Sequence, residues 1–162
     1  MRKILIALSF ICLLASCGNR QTYLHTYQAI PNDGWHVADS LFFPIPVQVN
    51  DTTFNVQLEV RHHVNYNYKN LPLLVECVQQ NTGSVLSTDT INMVLMDDSG
   101  NWLGKGIGRL LQLESPLGTL HIAKADTCQV RVMHLNPDSL LGGISDVGLR
   151  LYKSSVSSGI YA

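Results

Sequence analysis

Six histidines, four cysteines and one lysine set among glycines are the residues here whose types could do chemistry. The histidines raise the idea of a metal. His62 and His63 are adjacent, so on a strand they point to opposite faces and cannot share an ion without distortion. His25, His36, His121 and His134 are scattered, without the short spacings of a zinc site. No metal is expected. Trp102-Leu103-Gly104-Lys105-Gly106-Ile107-Gly108 has the ingredients of a phosphate loop but not the GxxxxGKS/T order, and it does not lead into a helix. Its alternating glycines fall on one strand face, where they let a ring or another backbone come close. No GxSxG elbow is present to raise a serine nucleophile. Asp97-Asp98 precedes Ser99-Gly100-Asn101, which reads as a hairpin turn rather than a paired acid and base. A calcium loop needs more oxygen ligands at regular spacing. The chain is therefore expected to be non-enzymatic, without cofactor or small-molecule substrate. A hydrolase is a weaker reading, because no convergent polar cleft is legible.

What remains is recognition. Asn65-Tyr66-Asn67-Tyr68-Lys69-Asn70 interleaves tyrosines with amides and a cation. Such a run makes amphipathic contact surface for a protein or a glycan. It would serve equally to lid one end of a β-sandwich, with the asparagines closing turns. Tyr66, Tyr68, Asn70 and Trp102 are the candidate contact residues, for a partner protein or, alternatively, for sugar stacking.

Strands must hold that loop. Phe54, Val56, Leu58 and Val60 alternate with Asn55, Gln57, Glu59 and Arg61, a period of two with one buried and one wet face. Leu71, Leu73, Val75 and Cys77 repeat the pattern after the loop. Tyr23–Ile30 reads as a first strand, ended by the turn Pro31-Asn32-Asp33-Gly34. Phe42–Val49 carries Pro44 and Pro46, which places it on an edge. Ser87–Met96, Trp102–Leu113, Leu120–Ala123, Thr127–Leu135 and Val147–Tyr152 follow. The first of these reads as covered on both faces, the second as its return strand, and Ser115–Gly118 as a turn. Asn136-Pro137-Asp138 resembles a helix start that Gly142-Gly143 ends. The expectation is an all-β, antiparallel sandwich or jelly-roll-like single domain with one short helix near the C-terminus.

The chain has 162 residues, a net charge of −1 and only 14% charged residues. There is no basic surplus for nucleic acid. Arg2 and Lys3 precede an apolar run, Ile4–Leu14, that is too short to span a bilayer but fits the hydrophobic part of a signal peptide. Leu14-Ala15-Ser16-Cys17 resembles a bacterial lipobox. This predicts a signal peptide over residues 1–16, lipidation of Cys17, a tether over 17–22, the domain over 23–153 and a flexible tail over 154–162. Several acyl chains on one cysteine anchor stably, at about 0.8 kcal/mol per buried CH₂. Losing Arg2 and Lys3 leaves the mature chain more acidic, so lipid rather than charge would hold it. Cys77 and Cys128 both fall on strand positions facing the core. They could pair in an oxidising compartment, or be two small buried side chains.

Taken together, Arg61-His62-His63, Tyr66–Leu71, Gly100–Gly106, Met133-His134-Leu135, Leu140–Ile144 and Asp146–Arg150 resemble, in order, the pattern of the GldH family of gliding-motility lipoproteins of Bacteroidota. Asn67, Lys69 and His134 depart from that pattern. The resemblance implies an envelope lipoprotein linked to gliding and to the type IX secretion machinery, with an envelope protein as partner and no enzyme activity. Gly18-Asn19-Arg20-Gln21 after the cysteine has no acidic cluster of the kind that marks surface-exposed lipoproteins of this phylum. A periplasm-facing position on the outer membrane is therefore expected.

Overall fold

A computed structural model describes residues 22–48, 50–123 and 127–153. The signal segment, Cys17 and the tail from 154 lie outside the described residues. Eleven strands are present among those described: β1 Thr22–Ala29, β2 Trp35–His36, β3 Leu41–Ile45, β4 Thr52–His63, β5 Asn70–Gln79, β6 Val85–Val94, β7 Lys105–Ile107, β8 Leu110–Ile122, β9 Cys128–His134, β10 Leu140–Leu141 and β11 Ile144–Lys153. All pairings are antiparallel. One sheet has the order β1-β11-β4-β8-β7, the other β3-β9-β5-β6, and β10 pairs with β2. In chain order the eight long strands switch sheet at every step except the β5–β6 hairpin, which is jelly-roll connectivity.

The alternation read from the sequence becomes the core. Phe54, Leu58 and Val60 of β4 are fully buried and share one apolar cluster with Val147, Leu149 and Leu151 of β11 and with Phe43, Leu71, Leu73 and Val132 of the opposite sheet. Burying each large side chain contributes roughly 1.5–3 kcal/mol. Pro44 sits on the edge strand β3, opposite Gln129, where a missing donor does little harm.

Four expectations change. No helix occurs among the described residues. Asn136 Oδ1 does accept the Asp138 N–H at 3.2 Å, as a helix cap would. The chain then extends, because Leu141 enters the core and Leu140–Leu141 pairs with Trp35–His36. One helical turn could not match that burial. Ser115–Gly118 is not a turn but a bulge within β8: Gln57 faces Pro116 and Val56 faces Gly118, leaving Leu117 extra. Gly118 supplies the positive φ of 101°, and the proline is tolerated where the ladder is already broken. The Asp97–Asn101 turn is real, but beyond the single bridge Met96–Trp102 the chain leaves β6 and enters the other sheet. β6 is left as an edge strand, and Val94 on its outer face is exposed.

Cys77 and Cys128 are both buried, on neighbouring strands. Cys77 faces Val130 and Cys128 faces Gln79, which makes the cysteines diagonal rather than opposite. Diagonal positions lie about 7–8 Å apart, whereas bridged Cβ atoms lie about 3.5–4.5 Å apart.

Candidate functional site

The strand registers give the domain two distinct ends. Thr22, where the described chain begins, is level with Tyr152 and Asn55. His63, at the other end of β4, is level with Leu110. The offset from Asn55 to His63 is about 26 Å at 3.3 Å per residue. The 64–69 loop, the β7–β8 hairpin, the Pro31–Gly34 turn and the Gly142-Gly143 turn all lie at the far end from Thr22.

At that end the candidate residues come together, in unequal roles. The Tyr66 ring is 3% exposed and belongs to the core cluster. Its hydroxyl donates to the Asn70 carbonyl at 3.1 Å, and burial pushes its phenol pKa well up. Tyr68 is half-buried and donates to Asp138 Oδ2 at 2.7 Å. That bond to a carboxylate raises its pKa. Trp102 is half-buried with its ring 5.0 Å from that of His62. Asn70 is half-buried, and its side-chain oxygen has no partner. Three rings free for sugar stacking are thus not presented, since Tyr66 faces inward. The lid reading of the tyrosines and the contact reading divide between Tyr66 and its neighbours. Asn65, Asn67 and Lys69 remain exposed between them. Lys69 pairs with Asp98, and its carbonyl accepts Leu95 N–H at 2.8 Å, so the loop is tied to the 97–101 turn.

His62 and His63 do point to opposite faces. His62 is fully buried and His63 exposed. Burial lowers the pKa of His62 and of His134, whose Nε2 meets the Trp35 carbonyl at 3.1 Å. Among the described residues no group of three or more histidine, cysteine or carboxylate side chains could hold a metal ion. Of the three glycines of the lysine segment, Gly104 and Gly106 serve close backbone approach, while Gly108 has open space at its Cβ position and a positive φ of 67°. A Cβ on Gly104 would meet the Gln112 carbonyl oxygen at 2.5 Å. The hairpin they form carries Ile107 at its tip, 94% exposed.

One cluster escapes a reading of sequence alone. Glu59 lies on the outward face of β4, yet its side chain is 1% exposed. Its Oε2 accepts from the Tyr27 hydroxyl and from Gln112 Nε2 at 3.1 Å, and meets His25 Nε2 at 3.1 Å. The Arg61 guanidinium stacks 4.0 Å over the Tyr27 ring. Burial, then the Glu59 carboxylate, push the Tyr27 phenol up to about 12. Gly148 makes this possible: a Cβ there would come within 2.6 Å of the Tyr27 ring. The cluster ties the edge strand β1 to β4 across β11. The signal for it was the Glu59 charge at the centre of a strand, but only the sheet order shows that strand to be interior.

Residues 22–151 match the family model for the GldH lipoprotein. A relative named gliding motility lipoprotein GldH homolog, from Christiangramia forsetii, is 29% identical over 162 residues, spanning 94% of this chain and 96% of its own. Solved structures overlap it more loosely. Eiger TNF from S. frugiperda has a TM-score of 0.38 at 12% identity, over 85% of this chain and 88% of that one. The infectious bursal disease virus VP2 subviral particle has 0.35 at 12%, over 85% and 34%. Dimeric latent PorU from Porphyromonas gingivalis has 0.31 at 9%, over 86% and 14%.

Proposed function

The chain belongs to the GldH lipoprotein family, and on that premise we propose that it is an outer-membrane-anchored, non-catalytic interaction component of the gliding-motility and type IX secretion-associated envelope machinery. The relative's name, a gliding motility lipoprotein, supports the process. The observation that carries the docking role is the two-ended build of the domain. Lipid on Cys17 leaves a tether of five residues, at most about 17 Å long, before Thr22 at one end. The loop ends at the opposite pole, about 26 Å farther on, present exposed Asn65, Asn67, Lys69 and Ile107 on a rigid frame. An anchored domain with a loop-rich far end is suited to dock another envelope protein facing the periplasm. The stacking alternative is less well served, since Tyr66 is withdrawn into the core.

Two experiments test the reading. A photo-crosslinking residue at Asn67 should give a discrete adduct in cells, and protease added to intact cells should leave the protein whole. Digestion by the added protease would place it on the cell surface and overturn the orientation.

A further inference from the structure

A polar cleft of about 570 Å³ opens at the far pole, lined in part by Asn32, His63, Asn65, Arg109, Gly143 and Ser145. Its walls are pinned by main-chain bonds from separate elements. His63 N–H donates to Gly143 O at 2.8 Å, Val64 N–H to Arg109 O at 3.0 Å and Ile30 N–H to Ser145 O at 2.8 Å. The cleft therefore exists before any ligand arrives. None of its lining residues is acidic, although the chain as a whole carries a net charge of −1. The Arg109 side chain is exposed and makes no ion pair among the described residues. Two acids adjoin lining residues in sequence: Asp33, between Asn32 and Gly34, is exposed at the surface, and Asp146 has its Oδ2 taken up by the Ser145 hydroxyl at 2.6 Å.

We infer that this cleft binds a carboxylate-bearing, extended peptide segment of the partner protein. A guanidinium presents paired N–H donors that match a carboxylate. Asn32 and Asn65 each offer a donor and an acceptor, as main-chain amides require. No tyrosine, tryptophan or phenylalanine lines the cleft, so a sugar ring has no stacking face there. The volume lies within the range of sites that enclose ligands of a few hundred daltons, about 300–1,000 Å³, which suits a few peptide residues. The inference deepens the docking role above and rests on it for the identity of the ligand as part of a partner protein.

The test uses the full chain, purified from membranes in detergent, with a fluorescein-labelled six-residue peptide of alternating Asp and Ala. Anisotropy should show saturable binding that weakens with salt. An Asn/Ala peptide should bind at least about tenfold more weakly, as should the Asp/Ala peptide to Arg109→Ala, with Arg109→Lys intermediate. Circular dichroism checks that the variants remain folded. Equal binding of the Asn/Ala peptide, unchanged binding by Arg109→Ala, or absence of binding would overturn the inference. So would displacement by inorganic phosphate at equal concentration, which would mark a simple anion site. A crosslinked adduct at Asn67 without peptide binding would leave the docking role standing and remove only this inference.

Discussion

Gly142 and Gly143 are adjacent, yet adding one methyl group should affect them very differently. Gly143 has φ of +86°, and a Cβ there would sit 2.8 Å from Tyr66 Cα and 3.1 Å from Tyr66 N. Gly142 has nothing within 4 Å of its Cβ position. Left-handed backbone costs alanine about 1–2 kcal/mol. The contact with Tyr66 is to main chain, which cannot rotate away, and relieving it must move the 64–66 segment. A similar further cost gives about 3 kcal/mol for Gly143→Ala, within the usual range of severe single substitutions. For a domain of this size that is a melting-temperature loss of about 10 °C. Gly142→Ala should stay within about 0.5 kcal/mol of the parent. Urea denaturation of the two variants, side by side, reads the difference directly. If both fall within 0.5 kcal/mol of each other, the close packing of the Gly143 turn against Tyr66 is wrong, and with it the fixed position of the loop.

Other consequences follow from the buried groups. Tyr27→Phe removes a donor to the buried Glu59 carboxylate and should cost roughly 1.5–3 kcal/mol in urea denaturation; a neutral effect would mean β1 is not held by this bond. His62 and His134 have depressed pKa values, so the unfolded chain takes up protons first as pH falls below the ordinary value of 6.5. Stability should therefore drop progressively below pH 6.5, and less steeply in His134→Gln; an unchanged slope would remove His134 from the acid response. Cys77 and Cys128 should each take an alkylating label after denaturation, with or without reductant, and a two-label gain on reduction would contradict the diagonal register. Cys17→Ala should move the protein from the membrane to the soluble fraction, and retention would refute the lipid anchor.

The alternating residues of β4 and β5 made two strands and their loop legible, because a period of two needs no tertiary information. The loop's recognisable residues could be found in the same way, but not their orientation. Tyr66 turns inward because Gly143 lets the chain press against it, a contact between positions far apart in sequence. The same reason hides the Glu59 cluster. Glu59 alternates as a wet-face residue, and becomes buried only because β11 and β8 flank β4 and Tyr27 crosses Gly148. Local signals misled where they were shared by two structures. Ser115-Pro116-Leu117-Gly118 has the composition of a turn, and a bulge uses the same residues. Asn136-Pro137-Asp138 has the composition of a helix cap, and the Asn side chain makes the corresponding bond in a bend that no helix follows.

The proposed docking surface lies at the pole of the domain opposite Thr22. Photo-crosslinking in cells from Asn67, at that pole, and from Thr82, in the exposed β5–β6 turn at the Thr22 end, compares the two ends directly. A discrete adduct from Asn67 and none from Thr82 is the predicted result. An adduct from Thr82 alone would contradict it.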